Sequence, residues 1–168
     1  MREALSKLEM MGIIERIPFK GVFLKKFDSE KVKEIYEIRL ELEYIIYKEI
    51  KEIMTDKHIK KVEKIVAKSQ KYNNSNNLAK FSETLEEFDN YLYSLSKKEL
   101  SLKILSELSF YMNIFKKTNP NMQETVDEHE KIIEALKEKN DDKIYAALGE
   151  HLDNAAEYVV KTFDKISI

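Results

Sequence analysis

Apolar residues recur along most of this chain at spacings of three and four, the period of a helix with one buried face. Val32, Ile35, Leu42, Ile46 and Ile50 form one such stripe and predict a helix over residues 29–54. Ile59, Val62, Ile65 and Val66 predict a second over 56–72, followed by the polar linker Lys71–Asn77. Phe81, Leu85, Phe88, Leu92 and Leu95 predict a third over 78–96, and Leu105, Leu108, Met112 and Phe115 a fourth over 98–117. Asn119-Pro120 supplies a cap and a first-turn proline for a fifth helix, on which Ile132, Ile133 and Leu136 repeat. Asn140-Asp141-Asp142 then breaks the pattern and caps a sixth helix over 141–166, carrying Ile144, Ala147 and Leu152. The expected fold class is all-α, an antiparallel bundle of six to seven helices.

Residues 1–27 follow a different pattern. Ala4, Leu5, Leu8 and Met11 make a short amphipathic helix that stops at Gly12. Ile13–Ile17, the turn Pro18-Phe19-Lys20-Gly21, and Val22-Phe23-Leu24 read as a β-hairpin. Two of the three glycines fall here, and the basic residues Arg2, Lys7, Arg16, Lys20, Lys25 and Lys26 outnumber Glu3, Glu9 and Glu15. The segment is too short for a core of its own, so the expected division is 1–27 and 28–168.

Composition narrows the chemistry. Of 168 residues, 43% are hydrophobic and 36% charged, and the net charge of −2 argues against a nucleic-acid-binding polycation. There is no cysteine, so disulfides and thiolate zinc sites are excluded and any metal must be held by His, Asp or Glu. No run approaches the roughly 20 apolar residues of a membrane-spanning helix. The opening MREALSKLEMMG lacks the apolar centre of a signal peptide, so the expected compartment is the cytoplasm with no membrane partner.

Four positions stand out chemically. His129 and His151, two of only three histidines, lie equally far from the turn at Asn140. In an antiparallel hairpin they sit at the same height, and imidazole is the commonest metal ligand side chain. The alternative is two imidazoles hydrogen-bonded to helix neighbours. Arg39 falls within the apolar stripe of the first helix, where a guanidinium needs an anion, either a ligand or an internal acid such as Glu43. Asp89 sits beside the stripe of the third helix, and a partly buried carboxylate needs a partner: a metal, Arg39 or a protonated histidine. Tyr111 and Asn154 are further candidates for the same cavity, Asn154 lying one helical turn from His151. His58 is expected at an exposed helix start. Gly149, inside a helix, is expected to mark close approach of a neighbouring helix or ligand.

Two stretches resemble one known family. MREALSKLEMMGIIERIPFKGVFL looks like the end of the winged helix-turn-helix of GntR-type regulators, with Met1 at its valine, Arg2-Glu3-Ala4-Leu5 matching outright, and Leu8, Gly12, Ile13 and Gly21 following. Tyr36-Glu37-Ile38-Arg39 with Leu42-Glu43, and Glu128-His129, Ala135-Leu136, Asp141-Asp142 and His151-Leu152, resemble the opening and closing signatures of the FadR C-terminal (FCD) effector domain. The resemblance implies a ligand-responsive transcriptional regulator of the FadR subfamily, not an enzyme. It implies a homodimer on operator DNA, with Arg2, Lys20 and Gly21 at DNA-facing positions, and a small carboxylate effector near Arg39.

Two departures follow from the same alignment. The sequence starts inside the recognition helix, which implies either a truncated product or a start assigned too late, with DNA binding expected of a full-length form. In the family's D-x-x-F-H metal motif, Leu85 stands at the aspartate and Asp89 at the histidine, while His129 and His151 match the later pair. The set that remains is Asp89, His129 and His151, two imidazoles and a carboxylate suited to Zn, Ni, Mn or Fe. Two other readings stay open: a metal-free dimerisation or acyl-effector domain, and a metalloenzyme using the same three residues.

Overall fold

A computed structural model describes residues 5, 6, 9, 14–24, 29–115 and 121–166. Its N-terminal part is the expected hairpin, β1 (Ile14–Ile17) and β2 (Gly21–Leu24), paired antiparallel from Ile14↔Leu24 to Ile17↔Gly21. The amide of Lys20 donates to the Ile17 carbonyl at 3.0 Å, closing a turn with Pro18 and then Phe19 at its centre. Phe19 has a φ of 63° and Gly21 a φ of 109°. Proline followed by a residue of positive φ is the type II arrangement, for which Phe19 is a strained choice. Most of the short helix expected before the hairpin lies outside the described residues.

Six helices follow: α1 (Ser29–Ile53), α2 (Asp56–Asn74), α3 (Leu78–Tyr93), α4 (Glu99–Phe115), α5 (Met122–Glu138) and α6 (Asp141–Ile166). The all-α bundle expected from the apolar stripes is therefore the observed architecture. α1 packs on α6 and α4, α2 packs on α3 and α5, and α5 closes the bundle against α6. No helix among the described residues is long and apolar enough to cross a membrane.

Helix ends are set by side-chain caps. Asn77 Oδ1 accepts from the Lys80 amide at 3.1 Å, and Asn140 Oδ1 accepts from the Lys143 amide at 3.1 Å. Each satisfies a donor that the first helical turn leaves without a partner. Lys139 turns left-handed, with a φ of 53°, to end α5. α2 runs to Asn74, two residues further than its apolar pattern predicts, and α3 ends at Tyr93, before Leu95. The cap of α5 is Asn121, whose Oδ1 accepts from the Glu124 amide at 3.4 Å. The expected cap Asn119 and first-turn Pro120 lie outside the described residues.

The core divides in two. The larger cluster is centred on Ile46, Tyr47 and Ile50 of α1, Phe81, Phe88 and Leu92 of α3, and Leu136, Ile144 and Leu148 of α5 and α6. A smaller one joins Val32 and Tyr36 of α1 to Leu152, Ala156 and Val159 of α6. Between α2 and α3, Ser69 Oγ donates to Thr84 Oγ1 at 2.7 Å, and Thr84 in turn donates to the Phe81 carbonyl at 2.6 Å, so these buried hydroxyls are satisfied.

Gly149 does not mark a close approach. A methyl group added there would meet Leu40 Cδ2 at 3.9 Å, ordinary van der Waals contact. Gly149→Ala is therefore expected to raise unfolding free energy by about 0.5–1 kcal/mol through reduced backbone entropy, read as a higher urea midpoint with unchanged slope. Phe81, 0% exposed, is expected to lose about 3–5 kcal/mol on replacement by alanine. Leu100→Ala, at a position 72% exposed on α4, should stay within about 0.5 kcal/mol in the same measurement.

Candidate functional site

A cavity of about 280 Å³ opens where the two parts of the core leave a gap between α1, α3, α5 and α6. Its wall is contributed by Tyr36 and Arg39 of α1, Leu85 and Asp89 of α3, Glu128 and His129 of α5, and His151, Asn154, Ala155 and Val159 of α6. These positions face one another because the helical period that buries Val32 and Tyr36, Phe88, Ile132 and Leu152 carries their polar neighbours to the same side. The charged rim consists of Glu86, Glu124, Glu157 and Lys161.

Two polar assemblies form the inner wall. In the first, Arg39 Nε donates to Glu43 Oε1 one turn along α1, and Arg39 Nη2 faces Asp89 Oδ2 of α3 at 3.6 Å. Glu43 is only 2% exposed, so its charge is sustained by the guanidinium beside it. Burial pushes the neighbouring Tyr36 hydroxyl up to about 12, partly opposed by Arg39, so it remains a protonated donor. In the second, buried Glu128 binds two residues of α6: His151 Nδ1 lies 2.7 Å from its Oε2, and Asn154 Nδ2 donates to its Oε1 at 2.6 Å.

His129 lies between them. Its ring stacks on Phe88, with centroids 4.2 Å apart and planes 10° from parallel, and sits 5.0 Å from the His151 ring. Its Nδ1 is buried without a hydrogen-bond partner. Burial first, then the proximity of His151 and Arg39, hold its pKa well below the ordinary 6.5, so it is a neutral imidazole.

Most of the residues singled out in the sequence thus meet. Arg39, Asp89, His129, His151 and Asn154 all line one cavity, and the two histidines face each other across the α5–α6 hairpin. Arg39 takes the internal alternative, pairing with Glu43 and Asp89. Tyr111 lies on α4, but its side chain is outside the described residues, as is all of Arg2. Lys20 and Gly21 are exposed at the hairpin turn, away from the cavity wall. His58 is half-buried, its Nδ1 accepting from the Thr55 amide at 3.4 Å near the start of α2. The residue whose role sequence reading missed is Glu128. Its signal was available: it sits one residue before His129 and one turn before Ile132, on the buried side of α5.

The expected metal set does not assemble as a centre. Among the described residues, no three His, Asp or Glu side chains converge as ligands of one ion. Asp89 faces a guanidinium whose positive charge competes with a cation for the carboxylate, while the Glu128 contact engages only Nδ1 of His151. As arranged, Asp89, His129 and His151 are not a ready-made centre for Zn, Ni, Mn or Fe.

The neutral state of His129 has a consequence for stability. The unfolded chain takes up a proton at His129 near pH 6.5, whereas the folded chain does so only well below that. Stability from this group is present above pH 6.5 and falls as pH drops below it, by up to about 1.4 kcal/mol per pH unit. In the presence of a chelator, denaturation midpoints are expected to decline from pH 6.5 to 5 in the native chain, and less steeply in His129→Gln.

Comparison with known proteins gives the family. The FCD domain family matches residues 34–154, which spans the cavity wall from Tyr36 to Asn154. No match is found among curated proteins. The fold is shared with solved structures of low identity. Escherichia coli McbR/YncC superposes with a TM-score of 0.78 at 18% identity, over 96% of this chain and 83% of that one. Streptococcus agalactiae GntR gives 0.63 at 19% identity, over 93% and 79%. A GntR-family transcriptional regulator from Pseudomonas syringae gives 0.68 at 15% identity, over 98% and 70%. With most of its helical bundle matched by the family profile, this chain belongs to the FCD domain family.

Proposed function

We propose that this chain is the effector-sensing part of a GntR-type transcriptional regulator, working by small-molecule binding and not by catalysis. The observation that carries this reading is the half-open cavity between α1, α3, α5 and α6, where buried Glu128 and His129 meet apolar side chains. Glu128 and His129 are buried at its wall, and a polar group taken from water needs a partner, which His129 Nδ1 lacks within the described protein. The volume, near the low end of ligand pockets at about 300 Å³, suits a small effector.

Transmission follows from where the wall is attached. Arg39 belongs to α1, which leads back toward the hairpin, and Asp89 belongs to α3 on the other side of the cavity. An effector that binds better to one spacing of α1 and α3 shifts the population toward that spacing. In this reading the winged helix of a full-length form, with Arg2, Lys20 and Gly21 toward operator DNA, is repositioned in a homodimer. The effector binds without a metal, because the arrangement of Asp89 and Arg39 opposes one.

The test is ligand-linked stability. A saturating effector at a hundred times its Kd is expected to stabilise the fold by about 2.7 kcal/mol, visible as a raised Tm. Ala155→Trp, which fills the cavity, should abolish that shift while the variant still unfolds cooperatively. Protein purified from zinc-supplemented medium should carry much less than one equivalent of metal by elemental analysis. One equivalent of metal, lost in the His129→Ala/His151→Ala double variant, would contradict the metal-free reading.

A further inference from the structure

The inner wall of the cavity carries more carboxylates than cations, with the Tyr36 hydroxyl as a neutral donor beside them. Among the described residues, its one permanent cation is Arg39, and that guanidinium already faces two carboxylates, Glu43 and Asp89. Glu128 adds a third carboxylate, buried like Glu43, whereas Asp89 is half-buried. Asn154 Nδ2 is committed to Glu128, as is His151 Nδ1. His129 is buried, and its Nδ1 lacks a partner among the described residues. With His151 protonated, two cations still face three carboxylates. At the rim Lys161 pairs with Glu157 at 2.7 Å, so the outer wall does not reverse the balance.

A carboxylate ligand is an acceptor only and would add to this excess. An ammonium group carries three donors and no acceptor, and it supplies the missing charge. Resting on the effector-site reading above, we infer that the cavity selects a small ligand bearing a protonated amine. The ammonium is held by Asp89 and Glu128, and a short apolar body lies against Leu85, Ala155 and Val159. This replaces the carboxylate effector that Arg39 alone implies, because Arg39 is already matched inside the protein.

The test uses the full chain in a chelator with three five-carbon probes of one shape and different head: n-pentylammonium, 1-pentanol and pentanoate. Calorimetry is expected to show n-pentylammonium binding at least about tenfold more tightly than pentanoate, the scale of a hydrogen bond to a charged group. Glu128→Gln and Asp89→Asn should each weaken the amine by about tenfold or more and strengthen pentanoate. If Asp89→Asn does not fold, Glu128→Gln decides alone. Tighter binding of pentanoate, amine binding indifferent to the carboxylate variants, or amine binding that survives Ala155→Trp overturns the inference. Pentanoate or pentanol binding that Ala155→Trp abolishes would keep the effector site and discard its charge preference. No binding by any of the three discards the amine site and counts against the cavity as an effector site.

Discussion

The structure depends on how it keeps charge inside a helical bundle. Arg39 joins buried Glu43 to half-buried Asp89, His151 and Asn154 gather on buried Glu128, and the cavity lies between the two groups. An isolated charge in such a place costs several kcal/mol, and the attraction between partners recovers this only with good geometry and satisfied hydrogen bonds. Each assembly also joins helices: α1 to α3 in the first, α5 to α6 in the second. Loss of one partner would leave the other charge buried and would disturb helix spacing as well as energy.

The apolar clusters explain why the polar groups meet. The larger core fixes the middle of α1, α3, α5 and α6, and the smaller one pins the start of α1 to the end of α6. Between them the four helices remain in register, but their side chains do not fill the space. Phe88 belongs to the core and yet forms the stacking surface for His129, so packing sets the plane of that imidazole. His129 is held neutral by the same packing.

Much of this is legible in the sequence. The three-and-four spacing of Val32, Ile35, Ile46 and Ile50, and of Phe81, Phe88 and Leu92, defines α1 and α3 because both helices are buried on one side only. The equal distance of His129 and His151 from the capped turn at Asn140 is enough to place their rings together. What spacing does not convey is pairing. Whether Arg39 keeps its charge for a ligand depends on Glu43 and on Asp89 from a different helix, and only the bundle geometry joins the latter. Glu128 is missed for a related reason: as a charged residue among many on α5 it looks solvated, and its burial depends on α6. Gly149 shows the opposite error, since glycine in a helix suggests a close neighbour where the packing leaves ordinary room.

The central claim is that the gap between the two polar assemblies is a binding site and not a packing defect. Crystallographic density for the protein purified from cells tests it most directly. The account predicts a small molecule lying between the Arg39–Asp89 pair and the Glu128–His151 pair, against the His129 side chain. A solidly closed interior, with Leu85 and Tyr36 folded into the gap and His129 bonded to a protein group, would contradict it.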